Sequence, residues 1–172
     1  MRIETQRLTI TTLDPGMAEA VRVNSLDEDN RRFVPYEVYE TVEEAAETID
    51  FLRGCYASGE EPQVYPVLLK DGTNIGYVQV VPAAEGAWEV GYHTAAPYTR
   101  RGYATEAVAA FLPVITARFG IGEIQGVCLA DNLASVKVLE RCGFTKLYEG
   151  VGLYQGRERR ICRYRWKRTS IE

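Results

Sequence analysis

Apolar and polar positions along this chain follow two periods, one of about two residues and one of about three and a half, and the segments trade places in an ordered way. "TQRLTITTL" alternates and is rich in β-branched residues, which predicts a strand at about 5–12. Asp14-Pro15 opens a helix over about 15–26, and "NRRFVPYEVYE", with Pro35 and three aromatic rings, reads as a loop. "TVEEAAETIDFLRGCYASGE" is a helix with Thr41 as N-cap, Glu44 in the capping-box position and Gly59 as stop. Val42, Ala45, Ile49, Leu52 and Tyr56 form its apolar face. Three strands follow, at 64–70, 74–81 and 87–95, with turns at Gly72 and at Pro82 to Gly86. A second long helix spans 103–119, with Ala104, Val108, Phe111, Leu112, Ile115 and Phe119 on one side. Pro113 falls inside it; an interior proline costs about 3 kcal/mol or more, so a kink is expected near 109–113. A strand at 123–129, a helix at 133–142 stopped by Gly143, and two final strands paired around Gln155-Gly156 complete the chain. The order βααβββαβαββ predicts a single α+β domain over 1–172, with a mixed, mainly antiparallel twisted sheet flanked by helices.

Composition narrows the class without naming it. With 46% hydrophobic and 26% charged residues in 172, the chain reads as an ordinary globular domain large enough for one core. No apolar run approaches the roughly 18 residues of a membrane span, and "MRIETQRLTI" is unlike a secretory leader, so a cytoplasmic protein without a membrane partner is expected. Cys55, Cys128, Cys142 and Cys162 are not paired at metal-ligand spacing and only one histidine, His93, is present, so free buried thiols and no metal are expected. The net charge of −4 divides into −10 over the first ninety residues and +6 over the rest. That asymmetry suggests two differently charged binding regions or a surface on which charge merely scatters.

The stretch "TRRGYATEA" concentrates candidate chemistry. Gly102 lets the backbone turn and a ligand approach, and the helix beyond it begins with amides that lack intrahelical partners. Those amides and the helix dipole favour an anion; Arg100, Arg101 and the Thr105 hydroxyl add donors suited to phosphate. Neither GxGxxG nor GxxxxGK[ST] is present. On its own the stretch is either a phosphate cradle or an exposed basic helix cap.

A second segment, "DNLASVKVLERCGF", tips the balance. Together with "PYTRRGYATEA", the beginning "ETQRLTITTL" and the middle "WEVGYHTAAPY", it resembles the GCN5-related N-acetyltransferase (GNAT) superfamily, in its RimJ/RimL-type ribosomal-protein branch. The resemblance covers essentially the whole chain. It implies acetyl-CoA as co-substrate, with Tyr92, His93, Thr94 and Ala95 giving a backbone edge to the pantetheine arm. Arg100, Arg101, Gly102, Tyr103, Ala104 and Thr105 would hold the phosphates, and Asn132 and Ser135 would lie near the thioester. Lys137 or Arg141 would reach the adenosine 3′-phosphate or stand as surface charges. Phe33 and Tyr36, with Tyr39, Arg31 and Arg32, fall in the region that shapes the acceptor pocket, and His93 lines it. Thr99 and Leu139 depart from the family pattern; Leu139 stands where many relatives have a tyrosine acid.

Acetyl transfer to an amine needs a base for the ammonium proton, a donor for the carbonyl oxygen and a proton for the leaving thiolate. Glu89, in "WEVGY", is the candidate base, acting through water, unless it is a solvent-facing strand carboxylate. Ser135 is the hydroxyl left to serve the sulfur, and Asn132 is equally a helix N-cap. The acceptor is a protein N-terminus or a small amine. An alternative is a non-catalytic acyl-CoA-binding regulatory domain. Nucleic-acid binding is disfavoured, because "RERRICRYRWKR" alternates like a half-buried strand and the pI is near 5.2. Dimers are common in the resembled branch, so a homodimer is among its implications.

Overall fold

A computed structural model describes residues 1–168. The strands are β1 (Ile3–Glu4), β2 (Leu8–Ile10), β3 (Gln63–Leu69), β4 (Asn74–Pro82), β5 (Trp88–Thr94), β6 (Glu123–Leu129), β7 (Thr145–Tyr154) and β8 (Arg157–Lys167). They form one sheet in the order β1-β2-β3-β4-β5-β6-β8-β7. Every neighbouring pair is antiparallel except β5–β6, which is parallel. The helices are α1 (Ala18–Ser25), α2 (Glu28–Phe33), α3 (Val42–Ser58), α4 (Tyr103–Phe119) and α5 (Leu133–Arg141). The α+β architecture and its mainly antiparallel sheet are as the hydrophobic pattern predicts. Among the described residues, no helix is long and apolar enough to cross a membrane.

The helix ends follow local chemistry. Thr41 and Glu44 form a reciprocal capping box at the start of α3, and Gly59 ends it in the left-handed region at φ 74°. After α5 the amide of Phe144 donates to the carbonyl of Leu139 and Phe144 is buried, so Gly143-Phe144 is a helix stop locked by an apolar contact.

The main core lies between the sheet and α4 and α5. Tyr65, Val78, Val80, Val90, Ile124, Cys128 and Tyr164 meet Val108, Phe111, Leu112, Ile115 and Leu139 there. A second cluster of Leu13, Ala18, Ala45, Ile49 and Leu52 joins α1 and α3. All four cysteines are free thiols.

Three sequence expectations change. The strand at 5–12 is two short strands, because Thr5 turns the chain: its amide donates to the Leu8 carbonyl and its hydroxyl accepts from the Leu8 amide. The loop at 30–40 contains α2, capped by Asp27, and a 3-10 turn, Pro35–Glu37. Val42 is exposed at the first turn of α3, and Cys55 takes its place on the buried face. Helix α4 continues through Pro113 as one element, Tyr103–Phe119. Pro113 leaves the Ala109 carbonyl without its helical N–H donor, while the Thr116 hydroxyl donates to the Leu112 carbonyl at 2.7 Å.

Candidate active site

The parallel pair β5–β6 is registered at a single position, Glu89 opposite Gln125. On its other side β5 pairs with β4 along its whole length, and β6 pairs with β8 from Glu123 to Leu129. The two central strands therefore part beyond Glu89. Tyr92, His93 and Thr94 keep their place in the sheet through β4 while the β6 side of their backbone is open, and Ala95 ends the strand with its amide on the Ile75 carbonyl. A wedge opens in the middle of the sheet, with Glu89 at its apex. Glu89 is half-buried, and burial pushes its carboxyl up to about 7 against the opposing pull of Arg163.

Helix α4 starts at the open end of the wedge. Gly102 is its N-cap at φ 79° with no side-chain cap, so the amides of Tyr103, Ala104 and Thr105 have no partner from a capping side chain. Arg100 also takes a left-handed conformation, φ 61°, and Arg100 and Arg101 are both exposed. A residue outside the expected set braces this turn. Arg7 donates through Nη1 to the Arg101 carbonyl at 2.9 Å and through Nε to Glu106 at 2.6 Å, and its guanidinium lies 4.6 Å from the centre of the Tyr103 ring.

Helix α5 closes the wedge on the β6 side. Asn132 caps it by accepting from the Ser135 amide at 3.2 Å. The Tyr92 hydroxyl sits 2.8 Å from Ser135 Oγ and 3.1 Å from the Ser135 carbonyl. A Tyr92 proton on that carbonyl leaves the Ser135 hydroxyl free to turn its own proton elsewhere. Burial holds the Tyr92 hydroxyl well above the usual phenol range and pushes the neighbouring Cys128 thiol up to about 11, so neither is poised to ionise. Lys137 and Arg141 are exposed on the outer side of α5.

The opposite face of the sheet is polar. By strand alternation Glu89, Gly91 and His93 share it with Tyr77, Gln79 and Val81 of β4, their register partners. His93 Nε2 is 3.1 Å from Asp27 Oδ2. Although burial opposes its charge, Asp27 is held below the usual carboxylate range by His93 and the Asn30 amide. The Tyr77 hydroxyl donates to Glu37, whose carboxyl is raised by burial in spite of that bond. The carbonyl of Phe33 accepts from Tyr154 at 3.4 Å and from Gln155 at 2.5 Å, and Arg32 pairs with Asp131 at 2.8 Å. These contacts tie α2 to the β7–β8 turn and to the start of α5. Tyr36 is 65% exposed, so it stands at a rim rather than in a core.

Comparison with known proteins fits this geometry. Residues 7–145 match the acetyltransferase (GNAT) domain family. The chain belongs to the GNAT acetyltransferases. It is 26% identical over 148 residues to the Uncharacterized N-acetyltransferase YnaD of Bacillus subtilis (strain 168), covering 85% of this chain and 84% of that protein. An acetyltransferase (GNAT family) from Bacillus anthracis shares the fold with a TM-score of 0.81 and 22% identity, over 97% of this chain and 98% of that one. RimL, a ribosomal L7/L12 alpha-N-protein acetyltransferase solved with coenzyme A, superimposes with a TM-score of 0.80 at 17% identity, over 97% and 98%.

Within this acetyltransferase, most of the residues expected from the sequence converge on the wedge. Glu89, Tyr92, His93 and Thr94 lie on β5 with Ala95 just beyond it, Arg100 to Thr105 form the turn and first residues of α4, and Asn132 caps α5, whose Ser135 meets Tyr92. Tyr92 contributes a side chain that holds Ser135, not backbone alone. His93 is engaged by Asp27. Sequence reasoning misses Arg7, Glu106, Glu37, Tyr77 and Asp27, whose partners lie 40 to 101 residues away in the chain. The one available signal is that Arg7 belongs to the "ETQRL" stretch that resembles the family without a role attached to it. Among the described residues, no group of three or more His, Cys, Asp or Glu is placed to hold a metal ion.

Proposed function

We propose that this acetyltransferase moves the acetyl group of acetyl-CoA directly to a primary amine, a small amine or a protein N-terminus, within a ternary complex. The observation that carries the reading is the parting of β5 and β6 at Glu89, which gives an open backbone edge leading to the unpartnered amides after Gly102. An extended pantetheine arm pairs with such an edge as an added strand would, and a pyrophosphate takes the free amides, Arg100 and Arg101. The fit needs no side chain at 102 and finds none.

That docking leads the thioester toward Glu89 at the apex. A carboxyl raised to about 7 is half ionised near neutral pH and suits removal of the ammonium proton of an incoming amine, through water. The carbonyl oxygen is served by an unpaired backbone N–H of β5, and the departing sulfur by the Ser135 hydroxyl. The acceptor enters over the polar face, where Glu37 and Glu89 favour a cation.

The test is coenzyme A thiol release from acetyl-CoA against a panel of amines and N-terminal peptides, with Glu89→Gln and Ser135→Ala alongside. The expected result is acceptor-dependent release that falls in both variants. Tight acetyl-CoA binding with no release for any acceptor would leave a binding domain and overturn the enzyme reading.

A further inference from the structure

The side chains of the turn between β1 and β2 reach the phosphate turn. Glu106, in the first turn of α4, accepts three hydrogen bonds from this segment and forms an ion pair with it. Thr5 Oγ1 donates at 2.6 Å, the Arg7 amide at 3.0 Å, Arg7 Nε at 2.6 Å, and Arg7 Nη2 pairs with it at 2.6 Å. Arg7 Nη1 turns the other way, to the carbonyl of Arg101. A Cβ built on Gly102 would stand 3.4 Å from Arg7 Nη2, so the guanidinium lies against the bare Cα of the N-cap. That is an ordinary contact, so glycine at 102 answers to the left-handed turn rather than to Arg7.

We infer that Arg7 is a positioning residue for the acetyl-CoA phosphate site, fixing the Arg100–Gly102 turn and cancelling the Glu106 carboxylate beside it. The inference rests on the co-substrate reading given above. A carboxylate in the first helical turn complements the helix dipole in a free protein, but it opposes an incoming pyrophosphate. Burial opposes its charge, yet Thr5 and Arg7 hold Glu106 below the usual carboxylate range, so it is ionised whenever the enzyme works. Arg7 is the cation that faces it. Without Arg7 the turn loses the tether on the Arg101 carbonyl, and the phosphates meet an uncompensated negative charge. Arg100 and Arg101 remain to touch the phosphates; Arg7 acts through the turn and through Glu106.

The two parts of this role separate experimentally. Acetyl-CoA binding is measured by calorimetry without acceptor, and steady-state thiol release gives KM and kcat, for wild type, Arg7→Ala, Arg7→Lys, Glu106→Gln and the Arg7→Ala/Glu106→Gln double variant. Arg7→Ala is expected to weaken acetyl-CoA binding by about tenfold or more through the exposed charge, raising the acetyl-CoA KM with kcat at saturation nearly unchanged. Removing the carboxylate as well is expected to recover a large part of that loss, and Arg7→Lys to recover the charge but not the tether. Unchanged binding in Arg7→Ala overturns the role, as does a double variant no tighter than the single. A residue that only supported folding would lower Tm and kcat together, and Glu106→Gln would not rescue it. Failure of wild type to bind acetyl-CoA would instead defeat the co-substrate reading beneath it.

Discussion

At the scale of single residues, the site turns on carboxylates whose surroundings set them apart. Asp27 and Glu106 have cationic or donor-rich partners and stay ionised; Glu37 and Glu89 are half-buried with too little compensation, which raises both carboxyls. For Glu89 the consequence has a definite sign. A base must be deprotonated, so kcat/KM should rise with pH through about 7 and level off above it. Glu89→Gln should lower the plateau by roughly 10²- to 10⁴-fold and erase that limb of the profile. Stability runs the other way. Because the folded carboxyl titrates above its unfolded counterpart, ionising it costs the fold stability as pH rises from the usual carboxylate range through about 7. Glu89→Gln should therefore raise Tm at pH 8 and leave it unchanged at pH 4, which melting curves at the two values would check. Glu37 differs in having its carboxyl held by Tyr77 on the acceptor face. Glu37→Gln keeps that bond and removes the charge, so it should raise KM for a cationic acceptor and leave KM for acetyl-CoA alone. Equal changes in both would show that Glu37 does not face the acceptor.

At the scale of elements, what was legible was what is local. The capping box of α3, the Gly143-Phe144 stop of α5 and the glycine start of α4 each rest on residues within five positions, and each forms as the sequence predicts. The strand at 5–12 failed because nothing in its alternation marks Thr5 as the residue whose amide and hydroxyl both bond Leu8 and fold the chain back. The brace from Arg7 to Glu106 spans 99 residues, and no local period records it. Pro113 was legible as a disturbance, and the packing of Phe111, Leu112 and Ile115 on either side of it holds α4 as one helix. That outcome can be tested. A proline inside a helix costs about 3 kcal/mol, and the stiffness it lends the unfolded chain returns about 0.4–1 kcal/mol. Pro113 is exposed, so Pro113→Ala should create no cavity and should stabilise by about 2 kcal/mol. Chemical denaturation would check it, with acetyl-CoA KM unchanged; destabilisation would mean that the proline ring is itself part of the packing.

At the scale of the whole molecule, the uneven charge along the sequence acquires a location. The acidic first ninety residues supply Asp27 and Glu37 beside the polar face, whereas Arg100 and Arg101, in the basic remainder, stand at the mouth of the wedge. Neither location can be read from a charge count, because β5 carries Glu89 and the phosphate turn begins six residues after its last strand position. In the proposed complex, anionic co-substrate is attracted at the mouth of the wedge and a cationic acceptor over the polar face. Arg100 and Arg101 are exposed, so their attraction is screened over about 8–10 Å at 0.1–0.15 M salt. Glu37 and Glu89 are half-buried and less screened. Raising salt from about 0.05 to 0.5 M should therefore increase KM for acetyl-CoA more than KM for a cationic amine, with kcat nearly constant. A neutral-pH titration of both substrates at three salt concentrations would measure it. If the amine KM proved the more sensitive, acceptor binding would depend on exposed surface charge, and the half-buried carboxylates would not be its anchor.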